Sequence, residues 1–545
     1  MVDTSARGAA GGPVIEHVVV LMLENHSFDH LLGFLEHPRP AEFDGLQPGL
    51  FHNFDSAGTA VPVSDDGLAF GVDPDHSHQG ALDQIAGVGG VETNGGFVRN
   101  YAAVPGVEDG AVIMRCLDPA VHCKALSTLA CEFAVCTAWF SSVPGETWPN
   151  RNFAHAATSG GTVNIEGGLY YDRTIFEVLA KQKGRTWRIY YDGTPEVWCY
   201  PRLWKCTTFL DFILRRRSRI GNWFESSQFA EHALNDDLAT YTFIEPAHNG
   251  FYSPEGFPRR TNSQHPHNNL ENDADFRAGD RLIASVYEAL RANPEVFNKT
   301  LLVITYDEHG GLYDHVKPPK SVPPGGGSWR GITRRLGAWL RARADRKASR
   351  KPSRKFDFRR LGVRVPTVLV SPWIEPGTIV SDTLEHASIP HTLRELFASG
   401  SKPLSNRDRK AKTFHEVVTE SPLPRPRPSP GAPNPEGPAP VPDLGAEAGA
   451  GGIEAPVAAA PPAPPGASTP TSQIDRELVA LAAQVDRTLR RHPTTVVAKR
   501  RAARLGHEDA LAASNGEVFP ADQTVTLFRA SAKAARRRPV TRPPA

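Results

Sequence analysis

The chain of 545 residues carries 61 lysines and arginines against 60 aspartates and glutamates, a net charge of +1, with 40% hydrophobic and 22% charged residues. That balance gives the whole molecule no electrostatic case for binding nucleic acid, and no apolar run is long enough to span a membrane. The length accommodates one large α/β core plus an extension, and the 48 prolines crowd toward the C-terminal quarter.

Residues 1–14 form a short polar, Gly/Ala-rich lead with no basic region, apolar stretch or cleavage site. The sequence as written is therefore expected to stay in the cytoplasm unless a route lacking a signal peptide exports it. Val18–Leu23 is a continuous apolar run, the pattern of a parallel strand buried on both faces. It stops at Glu24-Asn25, and Ser27 followed by Leu31, Leu32 and Phe34 reads as a capped helix start. Ligands bind at the carboxyl edge of open α/β sheets, so Glu24 and Asn25 are either site residues or an ordinary turn. DPDHSH (Asp73–His78) and NGGF (Asn94–Phe97) read as loops, which makes His76 and His78 binding candidates or members of a solvated turn.

The six cysteines, Cys116, Cys123, Cys131, Cys136, Cys199 and Cys206, have no zinc-knuckle spacing, which leaves free thiols or one or two disulfides. Leu126–Val135 reads as a core segment. In GETWPNRNFAHAATSGG, Thr147 precedes Pro149, which places Thr147 or a near neighbour at a helix N-terminus, either as a cap or where free N–H groups hold a phosphate. Helical patterns at Ile175–Ala180, Phe229–Leu234 and Asp280–Ala292 alternate with strands at Trp187–Tyr191 and Tyr241–Ile244, the latter ending in Glu245-Pro246. Such alternation predicts a doubly wound sheet. A polar loop, SQHPHNN, carries His265 and His267.

Leu301–Thr305 is a second apolar strand that stops at paired acids, Asp307-Glu308, ahead of His309 and a Gly-Gly turn. Two strands that each end in hard oxygen donors can converge on one divalent cation. Residues 329–360 are rich in arginine and lysine, either a solvated insertion or a basic helix on an anionic membrane. A third strand at Pro366–Val370 precedes EHASIPHTL, which puts His386 at the start of a helix near the same edge. The core domain is expected to span 15–418, followed by a Pro/Ala-rich linker at 419–471. A helical segment at 472–516 and a basic tail at 517–545 complete the chain.

ENHSFDHLLGF, TWPNR, FIEP, YDEHGGLYDHV and EHASIPHTL, in that order, resemble the bacterial phosphoesterase family of non-haemolytic phospholipases C and acid phosphatases, a branch of the alkaline phosphatase superfamily. The resemblance implies a mostly parallel sheet between helices. It further implies one divalent cation of open identity held by Glu24, Asn25, Thr147, Asp307 and Glu308, with Thr147 as nucleophile and His76, His265 and His386 contacting phosphate. Some members have two aspartates where this chain has Asp307-Glu308; His267, His309 and His315 lie in family-like motifs without assigned roles. The implied reaction is phospholipase C-like hydrolysis of a phosphodiester through a phosphothreonine. The alternatives are an acid phosphatase-like monoesterase or an inactive protein that binds anionic surfaces. A sulfatase is disfavoured, since that chemistry needs Cys or Ser at the position of Thr147. The expected partner is a phosphate ester such as a phospholipid, with peripheral membrane contact and no nucleic acid.

Overall fold

The computed structural model describes residues 15–67, 72–86, 93–165, 170–192, 195–200, 202–203, 222–248, 261–266, 274–325 and 356–419. His267, most of the basic stretch, the Pro/Ala-rich linker, the C-terminal helical segment and the basic tail lie outside the described residues.

The first unit, Met1–Ile165, Asp172–Glu196 and Asn222–Leu444, is built on an eight-stranded sheet. Its strands are β1 (His17–Leu23), β2 (Ala134–Cys136), β3 (Trp187–Tyr191), β4 (Trp223–Glu225), β5 (Tyr241–Glu245), β6 (Thr300–Tyr306), β7 (Thr367–Val370) and β8 (Thr378–Val380). They lie in the order β8-β2-β7-β6-β1-β5-β3-β4, and every pairing is parallel except those of β7 with β6 and β2. This is the expected mostly parallel sheet between helices. Val18–Leu23 and all seven residues of β6 are buried, as strands covered on both faces must be.

β1 and β6 are central neighbours in register from His17↔Thr300 to Leu23↔Tyr306. Parallel strands about 4.8 Å apart that end together leave the sheet at the same edge, so Glu24-Asn25 and Asp307-Glu308 emerge side by side. The helices that bear on this edge include α1 (Phe28–Leu32), α2 (His78–Ile85), α3 (Thr147–Ala156), α4 (Ala274–Arg291) and α5 (Ser388–Phe397), with other helices between them. Ser27 caps α1 by accepting from His30 N, as its sequence position suggested. Two expected loops run into helices instead. Ser77 accepts from Gly80 N and so opens α2 at His78, and Phe97 starts a short helix after Gly96. The apolar segment Leu126–Val135 divides into a helix, Lys124–Glu132, and the start of β2. In α4 the buried positions Ile283, Val286, Tyr287 and Leu290 repeat at helical spacing, and the helix begins a turn and a half earlier than its amphipathic pattern indicated.

Cys116, Cys123, Cys131, Cys136 and Cys199 are free thiols. The second unit comprises Glu166–Tyr171, Val197–Gly221 and Gly445–Ala545; within it Tyr170 N donates to the Cys199 carbonyl at 2.7 Å, and the Tyr170 and Tyr200 rings lie 5.7 Å apart.

The last described segment of the first unit is part of its core. Arg407 is buried and donates to the carbonyls of Val322, Ser142 and Phe358 while pairing with Glu385 at 2.7 Å. One guanidinium thus ties together the loop ahead of α3, the strand-end segment ahead of α5 and the chain on both sides of the basic stretch. Phe356 and Phe358, the returning end of that stretch, pack on a cluster of Val143, Phe153, Ala157 and Ala387. Arg407→Met should leave Glu385 buried without its countercharge and cost about 3–5 kcal/mol. A denaturant midpoint unchanged from the parent would show that the pair carries no such weight.

Candidate active site

Asn25 has φ +57, a left-handed conformation that asparagine tolerates better than most residues, and its backbone turns back onto the end of β6. Its N–H donates to Asp307 Oδ1 at 3.0 Å. Its side-chain Nδ2 donates to His265 Nε2 at 2.9 Å, and its Oδ1 accepts from the Thr147 hydroxyl at 3.4 Å. One residue therefore connects three separate segments. Gly310, at φ +66, lets this approach happen: a Cβ there would lie 2.1 Å from the Asn25 carbonyl oxygen.

Thr147 is the first residue of α3, and the N-cap is Glu146, whose side chain makes no capping bond. The hydroxyl of Thr147 is thus not consumed in capping the helix. All ten residues of α3 are buried, so the helix is an internal post rather than a surface element. Asn150 pins the preceding loop by accepting from Val143 N at 3.0 Å and donating to the Gly145 carbonyl at 2.9 Å. Arg151, one turn beyond Thr147 on the same face, pairs through Nε with Asp307 Oδ2 at 2.9 Å and donates to the carbonyls of Met22 and Leu23. It is completely buried and anchors α3 to the ends of both β1 and β6.

The histidines divide by environment. His76 and His265 sit edge to face with ring centroids 5.4 Å apart, and His76 Nδ1 meets the Pro74 carbonyl at 2.9 Å. Burial disfavours a charged His76, but the carboxylates of Glu308, Asp73 and Glu146 overcome it and push the ring up to about 10, a cation at neutral pH. His386 is placed against Asp307 at its backbone carbonyl. Its Nδ1 accepts from Trp139 Nε1 at 3.3 Å and its Nε2 donates to the Asp307 carbonyl at 2.6 Å, while burial lowers it to about 4. Both nitrogens of this ring are bonded to protein, one to Trp139 and one to the Asp307 carbonyl. His78 is similarly occupied by the Pro144 carbonyl, and His309 Nε2 meets Gln84 Oε1 at 2.7 Å. His315 lies in a separate buried network with Asp29, Asp44, Asp314 and Arg364.

Burial pushes Asp307 up to about 7, with the charges of Glu24 and Glu308 adding to it against the pull of Arg151. Burial raises Glu308 to about 7 as well, with Asp73 and Glu24 adding and His76 opposing. Glu24 escapes this: burial alone would raise it, but His248 at 2.8 Å holds it down to about 2, while His248 is itself pushed up to about 9. Glu24 Oε2 and Glu308 Oε1 are buried oxygens without a hydrogen-bond partner among the described residues. Crowded carboxylates with orphaned oxygens and an amide oxygen beside them are a donor set that fits a hard divalent cation. Glu24, Asp307 and Glu308 do not form one of the tightly drawn ligand groups. Among the described residues those are Asp73–His76–His265, Asp29–Asp314–His315 and His155–Glu196–Glu245, whose ligand atoms lie within 4.8 Å of one another.

A family model described as the Phosphoesterase family matches residues 15–398. The chain belongs to the phosphoesterase family. Membership makes it a hydrolase of phosphoric ester bonds. Non-specific phospholipase C6 of Arabidopsis thaliana is 35% identical over 425 residues, covering 75% of this chain and 73% of that protein. Non-hemolytic phospholipase C of Burkholderia pseudomallei is 28% identical over 417 residues, covering 69% of this chain and 54% of that protein. A solved protein of the alkaline phosphatase superfamily from Vibrio parahaemolyticus is 11% identical and covers 55% of this chain and 66% of its own at a TM-score of 0.29, which adds nothing to the architecture already described.

Two members of the cluster had no role assigned from sequence. Arg151 stands inside TWPNR, and its spacing of four from Thr147 was the available signal. His248, three residues beyond Glu245, bridges Glu24 and Glu245 at 2.8 and 3.3 Å. The acid that ends β5 thus serves the acid that ends β1.

The raised carboxyls have a consequence for stability. A carboxyl whose pKa is higher in the folded than in the unfolded chain contributes stability below its unfolded value and loses it as pH rises through the folded one. For Glu308 that window runs from 4.5 to about 7. In the presence of chelator, Glu308→Gln should therefore match the parent near the bottom of this window and become progressively more stable than it toward the top. Parallel thermal melts across that range check this, and a stability difference that does not change with pH would show that Glu308 is not crowded in the folded chain.

Proposed function

We propose that this protein is a metal-dependent, phospholipase C-like phosphodiesterase that works through a phosphothreonine on Thr147. The observation that carries the reading is the Thr147 hydroxyl at the N-terminus of a buried helix, bonded to an asparagine that also holds Asp307 and His265. Oxygens of Glu24, Asn25, Thr147, Asp307 and Glu308 would hold the cation. Such a cation lowers the pKa of a hydroxyl it touches and offsets charge on phosphoryl oxygens.

The chain's own groups supply the rest. The Thr147 hydroxyl gives up its proton to solvent as its oxygen attacks phosphorus in line, a P–O bond to threonine forms, and the bond from phosphorus to the alcohol oxygen breaks. The free N–H groups of the first turn of α3 and the cationic His76 are suited to hold phosphoryl oxygens as charge builds on them. With Nε2 accepting from Asn25, His265 is a neutral ring with its one proton on Nδ1, 3.9 Å from Asp73 Oδ1, and is suited to donate a hydrogen bond at the phosphate. The protonated His76 is the candidate to protonate the departing alcohol, and it regains its proton from solvent. Water then cleaves the phosphothreonine by the reverse arrangement. His386 takes no proton in this scheme; its bond to the Asp307 carbonyl keeps that carboxylate aimed. The phospholipases C among the relatives support a phospholipid-like diester as substrate.

The test sets a chromogenic phosphodiester beside its monoester, with and without chelator; faster turnover of the monoester would move the protein to the acid phosphatase side. Thr147→Ala should abolish turnover without unfolding the chain, and Thr147→Ser should keep part of the activity with metal content unchanged. An alanine variant near the parental rate would replace this mechanism by direct attack of water. Asp307→Asn should cost more activity than His309→Ala, since His309 is neutral, lowered to about 3 by burial, and bonded to Gln84 away from the nucleophile. Equal losses with equal metal content would remove Asp307 from the ligand set.

A further inference from the structure

Gln264 adopts φ +68, a left-handed backbone that residues other than glycine, asparagine and aspartate rarely take up, immediately before His265. Such a conformation persists only where the surroundings over-determine it. Here they do. The Gln264 carbonyl accepts from His26 Nε2 at 2.7 Å, and His26 Nδ1 is in turn bonded to His30 Nδ1 at 3.0 Å. The Gln264 side chain accepts from the Tyr306 hydroxyl, at the last residue of β6, and donates through Nε2 to the Phe276 carbonyl on α4 at 2.9 Å. The preceding Ser263 carbonyl accepts from Glu24 N at 2.9 Å. Space for the side chain comes from Gly279 on α4, where a Cβ would lie 2.2 Å from Gln264 Cγ. Every polar atom of the Gln264 side chain is thus used to hold the chain in a conformation its own backbone disfavours, between the ends of β1 and β6.

We propose that Gln264 is a positioning residue: its strained, fully tied backbone turns the His265 imidazole onto Asn25 and beside His76, so that the phosphate-binding edge exists before substrate arrives. This rests on the reading of His265 as a phosphate-site histidine. Gln264 touches neither substrate nor cation and acts only through the residue after it. The turn is buried, with Gln264 1% and His265 5% exposed, so water does not compete for the bonds that maintain it. His26 belongs to the same device, which gives the third residue of the ENHS stretch a task distinct from the metal-ligand role proposed for the first two.

The experiment is a double-mutant cycle on the full chain saturated with its activating cation. Gln264→Gly accepts the left-handed φ and removes the side-chain ties to Tyr306 and Phe276 while keeping the carbonyl that accepts from His26; Gln264→Asn also tolerates that backbone and serves if the glycine variant fails to fold. Misplacing a binding group by about 1 Å can cost on the order of 100-fold, so Gln264→Gly should lower kcat/KM by roughly 10–100-fold. Affinity for inorganic phosphate, measured by calorimetry, should fall with it while the melting transition stays cooperative. In a His265→Ala background the same change should cost nothing further. An equal loss in both backgrounds, or none in the parent, overturns the proposal while leaving the role of His265 intact. If His265→Ala alone leaves turnover and phosphate affinity at parental values, the reading beneath fails and the proposal falls with it; that outcome is recognised by the single variant.

Discussion

The constraint on which the rest of this structure depends is the shared termination of β1 and β6. Seven residues of strict parallel register deliver Leu23 and Tyr306 to the same level, so the next residues of both strands, Glu24 and Asp307, must leave the sheet together. Two carboxylates placed side by side in a buried setting repel each other and lose hydration, and the surrounding chain answers both costs. Arg151 reaches across from α3 to pair with Asp307, and His248 arrives from the end of β5 to pair with Glu24. The junction itself is closed by backbone: Asn25 in a left-handed turn, its N–H on Asp307, and Gly310 packed against its carbonyl where any side chain would collide.

The same two loops carry a second cluster of charge. Arg364 is buried and holds Asp29 at 2.7 Å and Asp314 at 3.2 Å, while His315 bonds the other oxygen of Asp29 at 2.7 Å. Asp29 follows β1 and Asp314 follows β6, so one guanidinium binds the two acid-bearing loops a second time. The Arg364 side chain also lies over the Phe28 ring at 4.1 Å. Paired charges of this kind add little net stability compared with apolar packing, but removing one partner is costly. Their effect is to leave the loops a single arrangement.

How far the sequence could be read follows from which interactions are local. The strands, the helix starts at Ser27 and Thr147 and the paired acids were legible because apolar runs, capping residues and strand ends are written in consecutive positions. Arg151 was visible inside its motif but not its partner, because the partner is 156 residues away and is fixed only by how α3 crosses the sheet. His248 had no periodic pattern to mark it. His386 was placed at the right helix start, yet its surroundings, Trp139 on one nitrogen and the Asp307 carbonyl on the other, come from two distant segments. The left-handed turns at Asn25 and Gln264 are the least legible features, since no glycine announces them.

Those two turns also say what kind of site this is. Asparagine and glutamine stand at positive φ on opposite sides of the same junction, and both spend their side chains on holding it: Asn25 on His265 and Thr147, Gln264 on Phe276 and Tyr306. Asp307 and Glu308 are meanwhile raised by burial, with the charge of Glu24 adding to both. A sequence selected for stability alone would place glycine at the turns and would not bury three acids. The chain instead carries strain and unbalanced charge where β1, β6 and α3 meet, and is over-tied everywhere around that point. This is the signature of a polar environment organised before substrate binds rather than assembled around it. Because the fixed elements are the ends of strands and the first turn of a buried helix, the polar groups mounted on them are left little freedom to move.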